Sequence, residues 1–400
     1  MKRSTDRILT THMGSLPRPD VLADLLVAEA EGKPVDAARI PALTDKAMDQ
    51  IVRRQLEAGI DVGNDGEMPR STFFGYIIGR MSGFGGRSNR RPIRDMQQFP
   101  KWWQNFQARG TRRLNVYGFP AAIGPVRYES LDGAKAELDA FARALARQPQ
   151  HFAETFVTAV SPGFAACSME NQHYDSHEAY VFALARELRQ EYEFIVAQGH
   201  VLQIDSPDLG IERAGYFQDE PLPKFIAAME MHVAALNEAL AGIPPERVRF
   251  HACWGNRDSP HVNDVPAPDV LPVCYQVKAG ALCLPFANPR HSHEVDAFRT
   301  QKLPDRMTLV CGVVETTHNY VEHPQVIAER LERAVRAVGD RERVMAGTDC
   351  GFGTIVGDTQ VSEDVVWAKL AAMRDGAAIA SKRLWRRGGT TGGEFQLARQ

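Results

Sequence analysis

RVRFHACWGN, residues 247–256, alternates as a buried strand does, then places His251 and Cys253 two residues apart ahead of a Gly-Asn turn. In a strand, residues i and i+2 face the same way, so the imidazole and the thiol leave the strand end on one side. Short apolar runs with the same habit recur: DRILTTH, GIDVGND, FVTAVSP, HVLQIDSP, GALCLPFANP, MTLVCGVVE and RVMAGTD. Long amphipathic stretches separate several of them, at 177–197, 220–241, 324–337 and 363–385. Strand–helix alternation makes a parallel sheet. Eight candidate strands predict an α/β fold, a single (β/α)8 TIM-type barrel, with an open doubly wound sheet as the competitor. The strand ends decide between them. His12, Asp65 and Glu67, Asp205, His251 and Cys253, Asn288, Glu315, and Asp349 with Cys350 all fall where strands finish. A barrel gathers those ends on one face, where such folds keep their active sites; an open sheet spreads them along a crevice.

The bulk numbers are those of an ordinary globular chain. With 400 residues, 44% of them hydrophobic and 24% charged, a sizeable core is expected. The balance of 47 basic against 50 acidic residues gives no reason to expect nucleic acid or an anionic membrane as partner. No apolar run reaches the ~18 residues of a membrane span, and MKRSTDRILTTHMGS lacks the apolar region of a secretory signal. A cytoplasmic protein is expected, acting on small molecules, with homo-oligomerisation left open. Cys167, Cys253, Cys274, Cys283, Cys311 and Cys350 are too sparse for a disulfide framework. In a reducing compartment they are buried thiols, metal ligands or nucleophiles. Residues 1–400 read as one catalytic barrel. Within it 81–155, rich in Gly, Arg and aromatics, reads as an insertion over the C-terminal face or as a surface hairpin without a role. Residues 389–400 read as a flexible tail.

An H-x-C strand end fits a core thiol beside a satisfied histidine as well as it fits a metal site. The segment MAGTDCGFGT (345–354) adds Cys350 after a second strand. One imidazole and two thiolates make a soft donor set that suits zinc, with a fourth position open. A free thiol has a pKa near ~8.5; coordination deprotonates it and leaves it nucleophilic. Such a site can activate a substrate thiol toward an alkyl donor. The same open position serves a lyase or hydrolase that uses metal-bound water.

Five segments together resemble the vitamin-B12-independent methionine synthase family, in the barrel of its catalytic C-terminal half: TTHMGSLPRP (10–19), GIDVGNDGE (59–67), LQIDSPDL (202–209), FHACWGN (250–256) and GTDCGFGT (347–354). The resemblance spans residues 8 to about 386. PFANPRHSHE (285–294), NYVEHPQVIAERL (319–331) and VVWAKLAAMRDGAAIASKRLW (365–385) look closest to the branch of epoxyalkane:coenzyme M transferases. Both groups are zinc-dependent and alkylate a thiol. The resemblance implies a zinc cofactor held by His251, Cys253 and Cys350, with a small-molecule thiol and an alkyl donor as partners. It implies that Glu67 and Asp205 hold the amino group of homocysteine, and that Gly14 and Ser15 receive its carboxylate. It does not carry over a folate donor, because no counterpart of the extra N-terminal barrel of the long methionine synthases is present. Where the family supplies a glutamate to the metal, two residues before the Ala-Asn of 287–288, this chain has Pro285. The fourth position then belongs to solvent or substrate, to Cys283 by way of a bulge, or the metal dependence has changed.

Other residues carry paired readings. His12 is a substrate-loop residue or a structural histidine. Glu315 lines the pocket or is a satisfied carboxylate at the barrel mouth, and Trp254 walls the substrate pocket or fills core. Trp102 and Trp103 are expected to pack the insertion against the barrel, and His291 and His293 to be solvated. Among Arg70, Arg80, Arg90 and Arg91, any could pair with a substrate anion, and most are expected in solvent. Cys167, Cys274 and Cys311 read as core thiols.

Overall fold

The apolar runs quoted above all find partners, though not all as strands. The structure, a computed structural model, describes residues 1–109 and 114–386; the 389–400 tail lies outside the described residues. In chain order the strands are β1 (Val62–Gly63), β2 (Met81–Gly85), β3 (Ala121–Tyr128), β4 (Glu154–Val160), β5 (Val201–Asp205), β6 (Val248–His251), β7 (Ala281–Pro285), β8 (Thr308–Val314) and β9 (Val344–Thr348). Seven of them form one curled parallel sheet in the order β1-β4-β5-β6-β7-β8-β9, while β2 and β3 pair antiparallel as a separate ribbon.

The run DRILTTH does not make a strand of its own. Thr10 bridges Ala346 of β9 and Thr11 bridges Val62 of β1, each as an isolated parallel bridge. The physical reason is a side chain. The Thr10 backbone N–H donates to Asp61 Oδ2 at 2.9 Å and its hydroxyl donates to the Gly59 carbonyl at 2.8 Å, so a ladder donor is used up. Gly14, at φ 113°, then turns the chain away.

Side chains alternate across the sheet. Ala281 and Cys283 of β7 join Leu9, Met13, Val310 and Met345 in an apolar cluster on the inner face. Leu282 and Leu284 join the larger core instead. The inner layer also holds a buried arginine, Arg249, which donates to Thr11 Oγ1 at 3.0 Å and to the His12 carbonyl at 2.9 Å and lies over the Phe156 ring. Helices Arg39–Ala58, Asp132–Ala146, His177–Ala197, Leu222–Ala239, Pro324–Val338 and Glu363–Arg386 cover the outer face. Helix Pro324–Val338 shows why they form where they do. Proline opens it, Gly339 at φ 86° closes it, and Ile327, Ala328, Leu331, Ala334 and Val338 recur at helical spacing on its buried side. Burying a side chain such as Leu331 contributes about 1.5–3 kcal/mol.

Among the described residues between β2 and β3 lie the α-helices Arg94–Gln98 and Pro100–Arg109 and a 3-10 turn, Val116–Gly118. Trp102 donates its indole N–H to the Asp258 carbonyl at 2.8 Å, tying this segment to the loop after β6.

Candidate metal centre and its pocket

His251 closes β6, Cys253 follows it by two residues, and Cys350 lies two residues beyond β9. One ligand atom from each lies within 4.8 Å of the other two, and all three residues are buried. Asp205, at the end of β5, is the register partner of His251, and its Oδ1 sits 3.0 Å from His251 Nδ1. Gln203 Nε2 donates to the same oxygen at 2.7 Å. A carboxylate on one ring nitrogen fixes the tautomer and frees the other. His251 Nε2 is indeed without a hydrogen-bond partner. Leaving such a group unsatisfied in the interior costs about 1–3 kcal/mol, and the two sulfurs are the atoms near it.

The thiols are poised unequally. Their mutual hydrogen bond draws Cys253 down to about 5 against the cost of burial, with His251 assisting. The same bond, with burial, pushes Cys350 well up. Burial opposes charge on His251, but the hydrogen bond with Asp205 and the adjacent Cys253 sulfur outweigh it and raise the imidazole. An imidazole nitrogen without a hydrogen-bond partner and two thiols at this spacing fit a soft cation.

Glu67 approaches from the loop after β1. It is buried and sits at φ 55°, a left-handed conformation rare for a residue with a side chain. Its Oε1 accepts from Thr158 Oγ1 at 3.0 Å, while Oε2 has no partner. Burial and the neighbouring Asp205 raise its carboxyl to about 7 although Arg70 and Arg18 pull it down. A Cβ on Gly14 would meet Glu67 Oε1 at 2.6 Å, so glycine lets that backbone lie directly against the carboxylate. One cavity is lined by Ser15, Glu67, Asp205, His251, Cys253, Trp254 and Cys350. Phe73, Phe74, Phe164, Ile93, Val116 and Tyr117 form its apolar side.

Three expected site residues lie outside that lining. His12 is buried with both ring nitrogens committed, Nε2 to Gln55 Oε1 at 2.8 Å and Nδ1 to the Gly14 N–H at 3.2 Å. Gly14 stands behind Glu67. Glu315 borders a smaller cavity with Pro285, Asp349 and Cys350, and its carboxylate is taken by Thr317 and His318. Cys283 lies in the apolar inner cluster, one rung below Pro285, outside the ligand group.

Several arginines and a histidine depart from expectation. Arg70 is not solvated but pairs with Glu137 at 2.7 Å, and Arg80 binds Glu137 and, at 3.0 Å, Glu191. Arg90 pairs with Glu212 and lines the cavity. Arg91 is exposed, as expected. His291 is also buried, stacked on Trp254 at 4.0 Å between ring centroids and bonded to Asp264 and Glu294, both at 2.8 Å; His293 is exposed. Burial works against charge on His291, but the two carboxylates raise it to about 9. The acidic partners lie far off in sequence, except Glu294, so the signal was absent from local pattern.

Other residues support the site from the loops around it. Asn256 donates to the Gly351 carbonyl at 2.7 Å and accepts from Thr316 at 2.8 Å, joining the loops after β6, β8 and β9. Arg18 donates to the carbonyls of Gly353 and Glu67. Gln203 had a readable signal, since it shares a strand face with Asp205.

The fold and pocket together define a curled parallel α/β sheet with a His-Cys-Cys cluster able to hold a metal ion at its strand ends. No protein-family model matches the chain. It is similar to the methionine synthase of Saccharolobus solfataricus, 23% identical over 382 residues that cover 95% of this chain and 96% of that one. The methionine synthase of Thermococcus kodakarensis is 24% identical over 387 residues, covering 96% of each. Among solved structures, a B12-independent methionine synthase from Shewanella sp. W3-18-1 in complex with selenomethionine superposes with a TM-score of 0.70 at 20% identity, covering 95% of this chain and 99% of that chain. The putative vitamin-B12 independent methionine synthase of Listeria monocytogenes gives a TM-score of 0.63 at 16% identity over the same shares.

Proposed function

We propose that this chain is a zinc-dependent methyltransferase that alkylates the thiol of a homocysteine-like amino acid. The observation that carries the reading is one pocket holding the His251, Cys253 and Cys350 donors beside two carboxylates, one of which has a bare oxygen. The methionine synthase relatives, matched along nearly the whole chain, support it. The metal-bound-water alternative has no such support. We read the scaffold as a (β/α)8 barrel, with Leu9–Thr11 in the place of the eighth strand, and residues 81–155 as its cap, since Arg90, Ile93, Val116 and Tyr117 reach the cavity.

Zinc bound at His251, Cys253 and Cys350 would supply a Lewis acid that holds the substrate thiol as a nucleophilic thiolate at neutral pH. Asp205 keeps the proton on His251 Nδ1 and so aims Nε2 at the donor cluster. The bare Oε2 of Glu67 and the second oxygen of Asp205 accept the substrate ammonium, and Ser15 stands where its carboxylate would lie. Trp254 and the apolar side of the cavity exclude water from the reacting sulfur. The two carboxylates select for an amine-bearing thiol. Asp205→Asn should cost about 1.5–3 kcal/mol in binding that thiol. Steady-state kinetics with homocysteine and with an amine-free thiol tests this: the penalty should fall on homocysteine. Faster turnover of the amine-free thiol by the wild type would overturn the assignment.

A further inference from the structure

A second cluster of donors lies behind the apolar wall of the pocket. Cys167 sits on helix Pro162–Ser168, three residues past Phe164, which lines the cavity. His177 opens helix His177–Ala197 and His232 lies on helix Leu222–Ala239. One ligand atom from each of the three lies within 4.8 Å of the others. We propose that Cys167, His177 and His232 form a second site for a soft divalent cation of the zinc type, separate from the pocket that binds the thiol.

The surroundings are those of a built site. Asp208 accepts from Ser161 Oγ at 3.0 Å and Ser206 Oγ at 2.7 Å through Oδ1, while its Oδ2 lies 2.8 Å from His232 Nδ1. That carboxylate is pinned and fixes the ring, leaving His232 Nε2 as the lone-pair nitrogen. Nε2 lies 2.8 Å from His177 Nε2. A hydrogen bond between the rings would account for that pair, yet it leaves His177 Nδ1 unpartnered, and the Cys167 sulfur lies in the same group of donors. A Cβ on Gly163 would meet Asp208 Oδ2 at 2.3 Å and His232 Nδ1 at 2.4 Å, so glycine admits the short helix that carries Cys167.

Charge points the same way. The charged groups acting on Cys167 are Asp208, Glu212 and Arg90, an acidic excess that a divalent cation would offset. Access exists from the surface. His177 is half-buried and stacks on Tyr216, 5.1 Å between centroids, and Tyr216 is exposed.

Cobalt(II) and zinc titrations of the full chain test the site without reading activity. Wild type should take about two equivalents of zinc, one for each three-donor cluster. Cys253→Ser/Cys350→Ser should keep about one cobalt with a thiolate-to-cobalt charge-transfer band, and adding Cys167→Ser should remove it. Asp208→Asn should weaken cobalt binding at this site about 10–100-fold. Cys167→Ser alone should retain thiol alkylation, which separates this site from the proposed active one. A folded Cys253→Ser/Cys350→Ser protein that binds no cobalt would overturn the proposal and leave an Asp–His–His hydrogen-bond chain. Should that variant not fold, His177→Gln in the wild-type background decides: a fall from about two equivalents to about one supports the site, and no change refutes it.

Discussion

Glu67 concentrates unfavourable choices in one residue. It is buried, has a left-handed backbone, and carries an oxygen without a partner. Strain and desolvation of this kind gather at sites where binding repays them. The sign of the resulting pH dependence follows from its carboxyl, raised from 4.5 to about 7 chiefly by burial. A folded pKa above the unfolded one means the stabilising contribution is full below 4.5 and is lost as pH rises through about 7. Glu67→Gln should therefore be more stable than wild type at pH 8, on the order of 2–3 kcal/mol, with the gap shrinking toward pH 5. Its KM for homocysteine should rise, and the fall of wild-type KM through about pH 7 should flatten. Denaturant unfolding at several pH values checks the first part. A mutant less stable than wild type at pH 8 would mean that Glu67 is held by partners the geometry does not show.

At the scale of elements, β7 carries the departure with the clearest consequence. Ala281 and Cys283 face the inner cluster, so Pro285 is on the same face one rung higher, beside Cys350 and Asp349. A glutamate there would add an anionic donor; with proline the set is one imidazole and two thiolates, whose two negative charges a bound zinc would offset. Pro285→Glu should tighten zinc by about tenfold and weaken the substrate thiol, which must then displace a carboxylate. Competition with a chelator, alongside thiol titration, measures both. Unchanged zinc affinity in a folded mutant would show that position 285 does not address the metal.

Elements also show where local pattern stopped. The period-2 alternation of RFHAC put His251 and Cys253 on one face, Asp205 was legible only as a strand end, and the structure sets it beside His251. DRILTTH had the composition of a strand, but Asp61 takes the Thr10 donor, and no local rule shows a competitor so far along the chain. The buried arginines escaped for the same reason. Arg70, Arg80 and Arg90 are inside because Glu137, Glu191 and Glu212 meet them there. Breaking such a pair by removing one partner costs several kcal/mol. His291 was half readable: Glu294 lies one helical turn away, whereas Trp254 and Asp264 come from another loop.

For the whole molecule, the sheet order is what makes these local facts into a site. Each strand of the parallel sheet neighbours the next one along the chain, with Thr10 and Thr11 touching both edges. Curling brings β5, β6 and β9 ends to one mouth, so His251 and Cys350 meet although 99 positions separate them (350 minus 251). On the proposed function, a metal in this mouth binds the substrate thiol directly. Zinc-edge X-ray absorption on Cys167→Ser protein loaded with zinc, with and without L-homocysteine, tests it most directly. The resting site should show about two sulfur neighbours, rising to about three when homocysteine is added, with loss of a nitrogen- or oxygen-type neighbour. A spectrum that keeps about two sulfurs and its oxygen neighbour at saturating homocysteine would contradict it.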